Sequence, residues 1–293
     1  MSVYSIKDLE VVSGIKAHTI RIWEQRYGLL EPKRTETNIR FYDDYQLCKL
    51  INVSTLIENG YKVSKIASFS EEEISKQVDE IIEGLDDSNS KVIALVNHLI
   101  NSGLTYNEQE FTEAFNYSIE KFGLVDTFLK VIYPMLVRIG LMWNKQDIIP
   151  SQEHFITNLI KQKLFKAIDD LPEADKNAER WVLLLPEEED HEIGLVLSYY
   201  LLKLNGKKVF YLGQRVPFTS IQAAIKEIKP GGLHFFMVKN QSKIKAQKFI
   251  DKLNPVSKDV KSFVSGSKSV LSNLKLPSHI KQVEDIENFL RIF

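Results

Sequence analysis

The chain has 293 residues, enough for two or three compact units, and its 44% hydrophobic and 26% charged content is ordinary for a globular protein. The single cysteine, Cys48, excludes an internal disulfide framework and a cysteine-cluster metal site, and no run approaches the roughly 20 apolar residues of a membrane span. A net charge of −1 gives no global attraction to nucleic acid, so a DNA-binding surface would have to come from local clustering.

The first residues, MSVYSIKDLE, hold neither a basic leader nor an apolar run, so the expected location is the cytoplasm. Ser5-Ile6-Lys7-Asp8 has the form of a capping box and starts a short helix with Ile6, Leu9 and Val12 inward. Gly14 breaks it, as the turn between two crossed helices requires. The next helix runs from about Lys16 to Arg26, with Ile20 and Trp23 on its buried face and Thr19 and Arg21 turned elsewhere. From Pro32 to Tyr42 the pattern is that of a β-hairpin wing with a polar tip. Between Gly14 and Tyr42, Lys16, Arg21, Arg26, Lys33, Arg34 and Arg40 outnumber Glu24, Glu31 and Glu36, a balance suited to phosphates.

The stretch TIRIWEQRYGLLEPKRTETNIRFYDDYQL resembles the MerR family of bacterial transcription regulators over about the first quarter of the chain. That resemblance implies a winged helix-turn-helix reading a double-stranded DNA operator. It places Thr19, Arg21 and Arg26 in the recognition helix, and makes Arg34, Arg40 and Tyr42 the wing's grip on phosphate. Trp23 is expected in the core.

A helix from about Asp44 to Asn59 stops at Gly60, a shorter one lies around Val63–Ala67, and Ser70-Glu71-Glu72-Glu73 caps a third. Residues of about 71–170 are helix-patterned, with expected breaks at 84–89, Ser102-Gly103 and Pro150, and predict a helical bundle rather than one long coiled coil. Trp143 at the end of one helix and Glu153-His154 in the first turn of the next are placed to meet across a junction. A buried tryptophan and a satisfied histidine would give the same pattern.

From Arg180 the period changes. Continuous apolar strands at 181–185, 209–212, 233–238, 262–264 and 280–283 alternate with amphipathic segments, which predicts a Rossmann-like, doubly wound parallel sheet. The expected domains are therefore a reader over 1–75, a helical cap over 76–172 and the sheet domain over 178–293. Past the first strand, Glu187-Glu188-Glu189-Asp190-His191 opens a helix. His191 could coordinate a metal through one nitrogen while Glu189 orients the other, and Gly194 would let something bulky approach the helix backbone.

Glu189-x-His191-x-x-Gly194 resembles the D-x-H-x-x-G signature of cobalamin-binding domains, with glutamate for aspartate. With the upstream Trp143-x9-Glu153-His154, the whole order resembles the CarH/LitR regulators, which join a MerR reader to an adenosylcobalamin photosensor. The resemblance implies His191 as cobalt's lower axial ligand, Trp143, Glu153 and His154 around the adenosyl group, and Ser265-Gly266 in place of the family's G-G beside the nucleotide tail. It implies a repressor, not an enzyme, that assembles as a homo-oligomer (dimer or tetramer) with adenosylcobalamin and is released by light. Three positions depart from the pattern: Asn144 replaces a histidine, Met237 falls where a small serine is expected, and Ser265 replaces glycine. The expected consequence is a narrowed or lost tail pocket. An alternative reading makes the C-terminal domain a degenerate one that serves oligomerisation or partner binding.

Overall fold

A computed structural model describes residues 3–84, 89–144, 150–239, 242–283, 285 and 288. The chain divides into two compact units, residues 1–159 and 160–293, where the sequence predicts three domains.

In the first unit, helices α1 (Ile6–Ser13) and α2 (Ala17–Tyr27) precede a two-stranded antiparallel wing of β1 (Lys33–Arg34) and β2 (Arg40–Phe41). The Ser5–Asp8 capping box forms in both directions, and Gly14 ends α1 with φ of 74°, a conformation that only glycine adopts without strain. Helix α3 (Asp44–Glu58) follows, capped by Asp43, then α4 (Val63–Ile66) and α5 (Glu71–Gly84), the last with its expected Ser70–Glu73 capping box. Leu9, Val12, Ile20, Leu47, Leu50 and Ile51 form the core of the reader.

Four further helices build the bundle: α6 (Asn89–Leu104), α7 (Glu108–Thr127), α8 (Tyr133–Asn144) and α9 (Pro150–Asp169), the last crossing the boundary between the units. Gly123, at φ 75° and ψ 163°, kinks α7, and a π-helical turn at Phe128–Ile132 leads into α8. Ser102 and Gly103, expected as a break, lie inside α6. A Cβ on Gly103 would sit 2.4 Å from the Ile156 side chain, so the glycine serves the close crossing of α6 and α9. Reader and bundle form one unit because α3 and α6 share a polar seam. Asn97 Nδ2 donates to Thr55 Oγ1 at 2.6 Å, and Asn101 Nδ2 donates to Asn52 Oδ1 at 2.5 Å.

The second unit is a five-stranded parallel sheet in the order β4-β3-β5-β6-β7. Its strands are β3 (Arg180–Pro186), β4 (Lys208–Val216), β5 (Gly232–Met237), β6 (Lys261–Gly266) and β7 (Ile280–Gln282). Helices α10 (Ile193–Leu204), α11 (Phe218–Ile228), α12 (Lys243–Val256) and α13 (Lys268–Leu271) alternate with them. Burial on both faces explains why β3 reads as an unbroken apolar run. The strand order reverses between β3 and β5, and in such sheets ligands bind at the carboxyl ends of the strands flanking that point. No helix among the described residues is long and apolar enough to cross a membrane.

Candidate functional site

Two sites follow from the fold. In the reader, Lys16, Arg21 and Arg26 are exposed along α2, while Thr19 and Trp23 are half-buried. Lys33 and Arg34 are exposed on the wing, where Arg34 donates to Asn38 Oδ1 at 2.8 Å. Asn38 itself holds the tight tip at φ 64°, a conformation asparagine tolerates better than most residues. Exposed Lys16 and Lys33 pair with the half-buried carboxylates of Glu10 and Asp43. Ile22 on α2 and Ile39 on the wing are exposed apolar side chains that a charge count cannot find.

Arg40 and Tyr42 face the other way. Tyr42 is fully buried, its hydroxyl donates to Glu24, and Arg40 pairs with the same carboxylate at 3.2 Å. Burial, then the Glu24 hydrogen bond, holds the Tyr42 hydroxyl well above its ordinary range. The expected phosphate contact of Tyr42 is therefore corrected. With Arg40 it forms the joint that fixes the wing against α2.

In the bundle, Glu153 and His154 occupy the first turn of α9, with His154 Nδ1 3.3 Å from Glu153 Oε2 and the imidazole exposed. Trp143 and Asn144 end α8, and their side chains lie outside the described residues.

The sheet site lies where the strand order reverses. Glu189, in the loop after β3, is buried, and donors from two loops converge on its carboxylate. Oε1 accepts from the amides of Asp190 and His191, both at 3.0 Å, and faces His191 Nδ1 at 2.6 Å. Oε2 accepts from the amides of Val238 at 2.6 Å and Lys239 at 2.7 Å, just past β5. Burial opposes the charge, but the His191 bond and these amides outweigh it and lower the carboxyl to about 2. Glu189 thus ties the two loops together across the reversal and fixes the His191 ring through Nδ1, so Nε2 is the nitrogen a metal would take. The His191 side chain remains 57% exposed. Around it, Asp190 pairs with Arg215 and Lys239, and Glu188 with Lys245. No sequence signal points to the Val238 and Lys239 amides, because a backbone donor carries no residue type.

On the α10 side of the sheet the expected room is filled. A Cβ on Gly194 would lie 2.6 Å from Phe236 Cε1, so the bulky group that this glycine admits is the chain's own ring. Phe236 packs 4.7 Å from the His234 ring, His234 Nε2 meets Ser265 Oγ at 2.8 Å, and Trp181 stacks on Phe263 at 5.8 Å. Met237 does not stand on this face. It is buried in the core beneath α11 and α12, so the intruding residue is Phe236. Gly266 pairs with Met237, and a Cβ there would lie 2.0 Å from the Met237 carbonyl oxygen, which makes the glycine a requirement of the strand end. The imidazole that Glu189 orients is a donor of the kind a corrinoid cobalt takes. The sheet face beneath it, lined by Trp181, His234, Phe236 and Phe263, does not fit an inserted nucleotide tail.

A basic winged helix-turn-helix and an anchored histidine at the sheet's reversal define a DNA-binding regulator with a corrinoid-type domain. Residues 4–73 match the MerR HTH family regulatory protein model, and residues 95–166, running from α6 into α9, match the B12 binding domain model. The chain therefore joins a MerR-type helix-turn-helix domain to a B12 binding domain. It is homologous to two Myxococcus xanthus proteins, the HTH-type transcriptional repressors CarH and CarA. It is 25% identical to CarH over 260 residues, covering 85% of this chain and 83% of CarH. It is 28% identical to CarA over 231 residues, covering 77% and 73% respectively. Among solved structures, the Methanosarcina barkeri monomethylamine corrinoid protein shares the fold with a TM-score of 0.51 at 17% identity, covering 70% of this chain and 98% of that one.

Proposed function

We propose that this protein is a transcription repressor whose grip on a double-stranded DNA operator is set by cobalamin, with His191 as the lower axial ligand of cobalt. The observation that carries the reading is the Glu189–His191 pair, locked by backbone amides at the sheet's reversal and presenting a half-exposed imidazole. A corrinoid bound there would supply a cobalt that takes an imidazole nitrogen, and its adenosyl form a light-labile cobalt–carbon bond. The chain's own part is to orient His191, with Trp143, Glu153 and His154 assigned to the adenosyl side by resemblance. Arg21, Arg26, Lys33 and Arg34 serve the DNA backbone. A ligand that favours the assembled homo-oligomer, dimer or tetramer, tightens DNA binding by linkage.

Purified protein mixed with adenosylcobalamin in the dark should carry a red cofactor through gel filtration, and His191→Ala should abolish it. No retention at tens of micromolar sinks the reading. Gel shifts before and after illumination test the light response separately. A second reading draws support from Phe236 seated against Gly194: the sheet domain holds no cobalamin and serves assembly or a protein partner. It predicts no retention and an unchanged oligomeric state with cofactor.

A further inference from the structure

The helices that carry the cap residues also hold the DNA reader, through two partly buried polar struts within the first unit. The first begins at Arg138 on α8. One arm of its guanidinium donates to the carbonyl oxygen of Val12, and the other donates to Asn97 Oδ1 at 2.6 Å. Val12 O is among the last carbonyls of α1, which the helix itself leaves without an acceptor role. It lies just before the Gly14 turn, so a cation there also suits the helix C-terminus. Asn97 continues to Thr55 of α3 at 2.6 Å, and Glu58 of α3 is the carboxylate facing Arg138.

The second strut begins at Gln152 in the first turn of α9, adjacent to Glu153 and 1% exposed. Its Nε2 donates to the Leu104 carbonyl at 2.8 Å and to Asp44 Oδ1 at 3.3 Å. The Tyr4 hydroxyl donates to the same Asp44 oxygen at 2.6 Å. Tyr4 and Tyr42 exchange backbone bonds at 2.8 and 2.9 Å, and Tyr42 reaches Glu24 on α2, where Arg40 of the wing also ends. One strut therefore ends at the helix-turn-helix turn and the other at the joint between wing and recognition helix.

We propose that Arg138 and Gln152 are positioning residues for DNA reading: bundle helices α8 and α9 set the angle of α2 and the wing through them. Because the same helices bear Trp143, Glu153 and His154, displacing either helix shifts the reading elements directly. The proposal rests on the helix-turn-helix alone and needs no cobalamin, so it stands or falls apart from the cofactor reading.

The test uses the full chain, cofactor-free, with two probes: a duplex enriched from a randomised pool by the wild type, and a mixed-sequence duplex of equal length. Arg138→Met keeps the volume and removes both donors, and Gln152→Leu does the same on α9. Each should weaken binding to the enriched duplex by about tenfold or more, the range of inter-site coupling. Binding to the mixed duplex should stay within about twofold, because the exposed phosphate contacts remain. Arg138→Lys keeps the charge but replaces the planar fork, whose two arms reach separate acceptors, by a single ammonium, so it should behave like Arg138→Met. Equal weakening on both probes by folded variants means a merely structural role and overturns the proposal, as does an unchanged ratio. Should Arg138→Met fail to fold, Gln152→Leu alone decides.

Discussion

Glu189→Gln is the sharpest perturbation of the sheet site, because it changes one atom and leaves the side chain's shape intact. The carboxylate serves the Asp190 and His191 amides and His191 Nδ1 with one oxygen, and the Val238 and Lys239 amides with the other. A glutamine has one carbonyl oxygen. If that oxygen keeps the His191 side, its NH2 group faces two backbone N–H donors at distances set for acceptance. Each lost charge-assisted bond to a buried donor costs about 1.5–3 kcal/mol, so the pair amounts to about 3–6 kcal/mol. Urea unfolding of wild type and variant, with Glu188→Gln as an exposed control carrying one Lys245 partner, reads this difference. Hydrogen exchange should show protection lost at the loops after β3 and β5 and retained in β6. In folded variant, cobalamin retention should drop by about 10- to 100-fold, the usual cost of removing a ligand's orienting partner. A loss of under about 1 kcal/mol, no larger than the control's, refutes the claim that this carboxylate ties the loops together.

Other outcomes follow from the same geometry. Arg21→Ala and Arg34→Ala should weaken DNA binding and each reduce the salt slope by about 1, whereas Tyr42→Phe should cost about 1–2 kcal/mol of stability with an unchanged slope; a reduced slope in Tyr42→Phe would falsify its placement in the joint. Gly103→Val should destabilise the first unit by about 1–3 kcal/mol in thermal melts, because its Cβ overlaps Ile156, and a neutral result would show that α9 can shift away. Burial pulls His234 down to about 3, below its ordinary 6.5, so the unfolded chain binds the extra proton first. Stability is then whole above about pH 6.5 and falls by about 1.4 kcal/mol per pH unit below it, down to about pH 3. His234→Gln should flatten that slope in urea titrations between these limits, and an equal slope in both proteins argues against a neutral buried imidazole.

What the sequence made legible is what short-range chemistry decides. Ser5 and Asp8 announce their capping box within one turn, Ser70 and Glu73 do the same, and the apolar runs of the sheet stand out because both faces are covered. The pairing of Glu189 with His191 was readable for the same reason, being two residues apart. The inward turn of Arg40 and Tyr42 was not, since both answer to Glu24 on another element. A basic and aromatic wing residue reads as a DNA contact until its partner is known. Gly103 shows a similar ambiguity. A glycine in a helical pattern marks a break or a close crossing, and only the position of Ile156 decides between them.

Strand parity decided the tail pocket. Successive residues of a strand face opposite sides, so an assignment displaced by one position exchanges core for site. The motif resemblance singled out Met237 as the bulky replacement, but Leu233, Phe235 and Met237 share the face beneath α11 and α12. His234 and Phe236 alternate with them, and Phe236 meets Gly194 on the α10 side. The residue standing on the site face is thus Phe236 and not Met237. A methionine is flexible and can yield to a ligand, whereas Phe236 is a rigid ring set over a glycine and against His234, which is itself held by Ser265. Opening that face would mean displacing both rings together and breaking a buried hydrogen bond. The single residue to vary is therefore Phe236. Phe236→Ser should raise the ratio of cobalamin to tail-less cobinamide retained by the protein, and an unchanged ratio would show that the ring does not exclude the nucleotide tail.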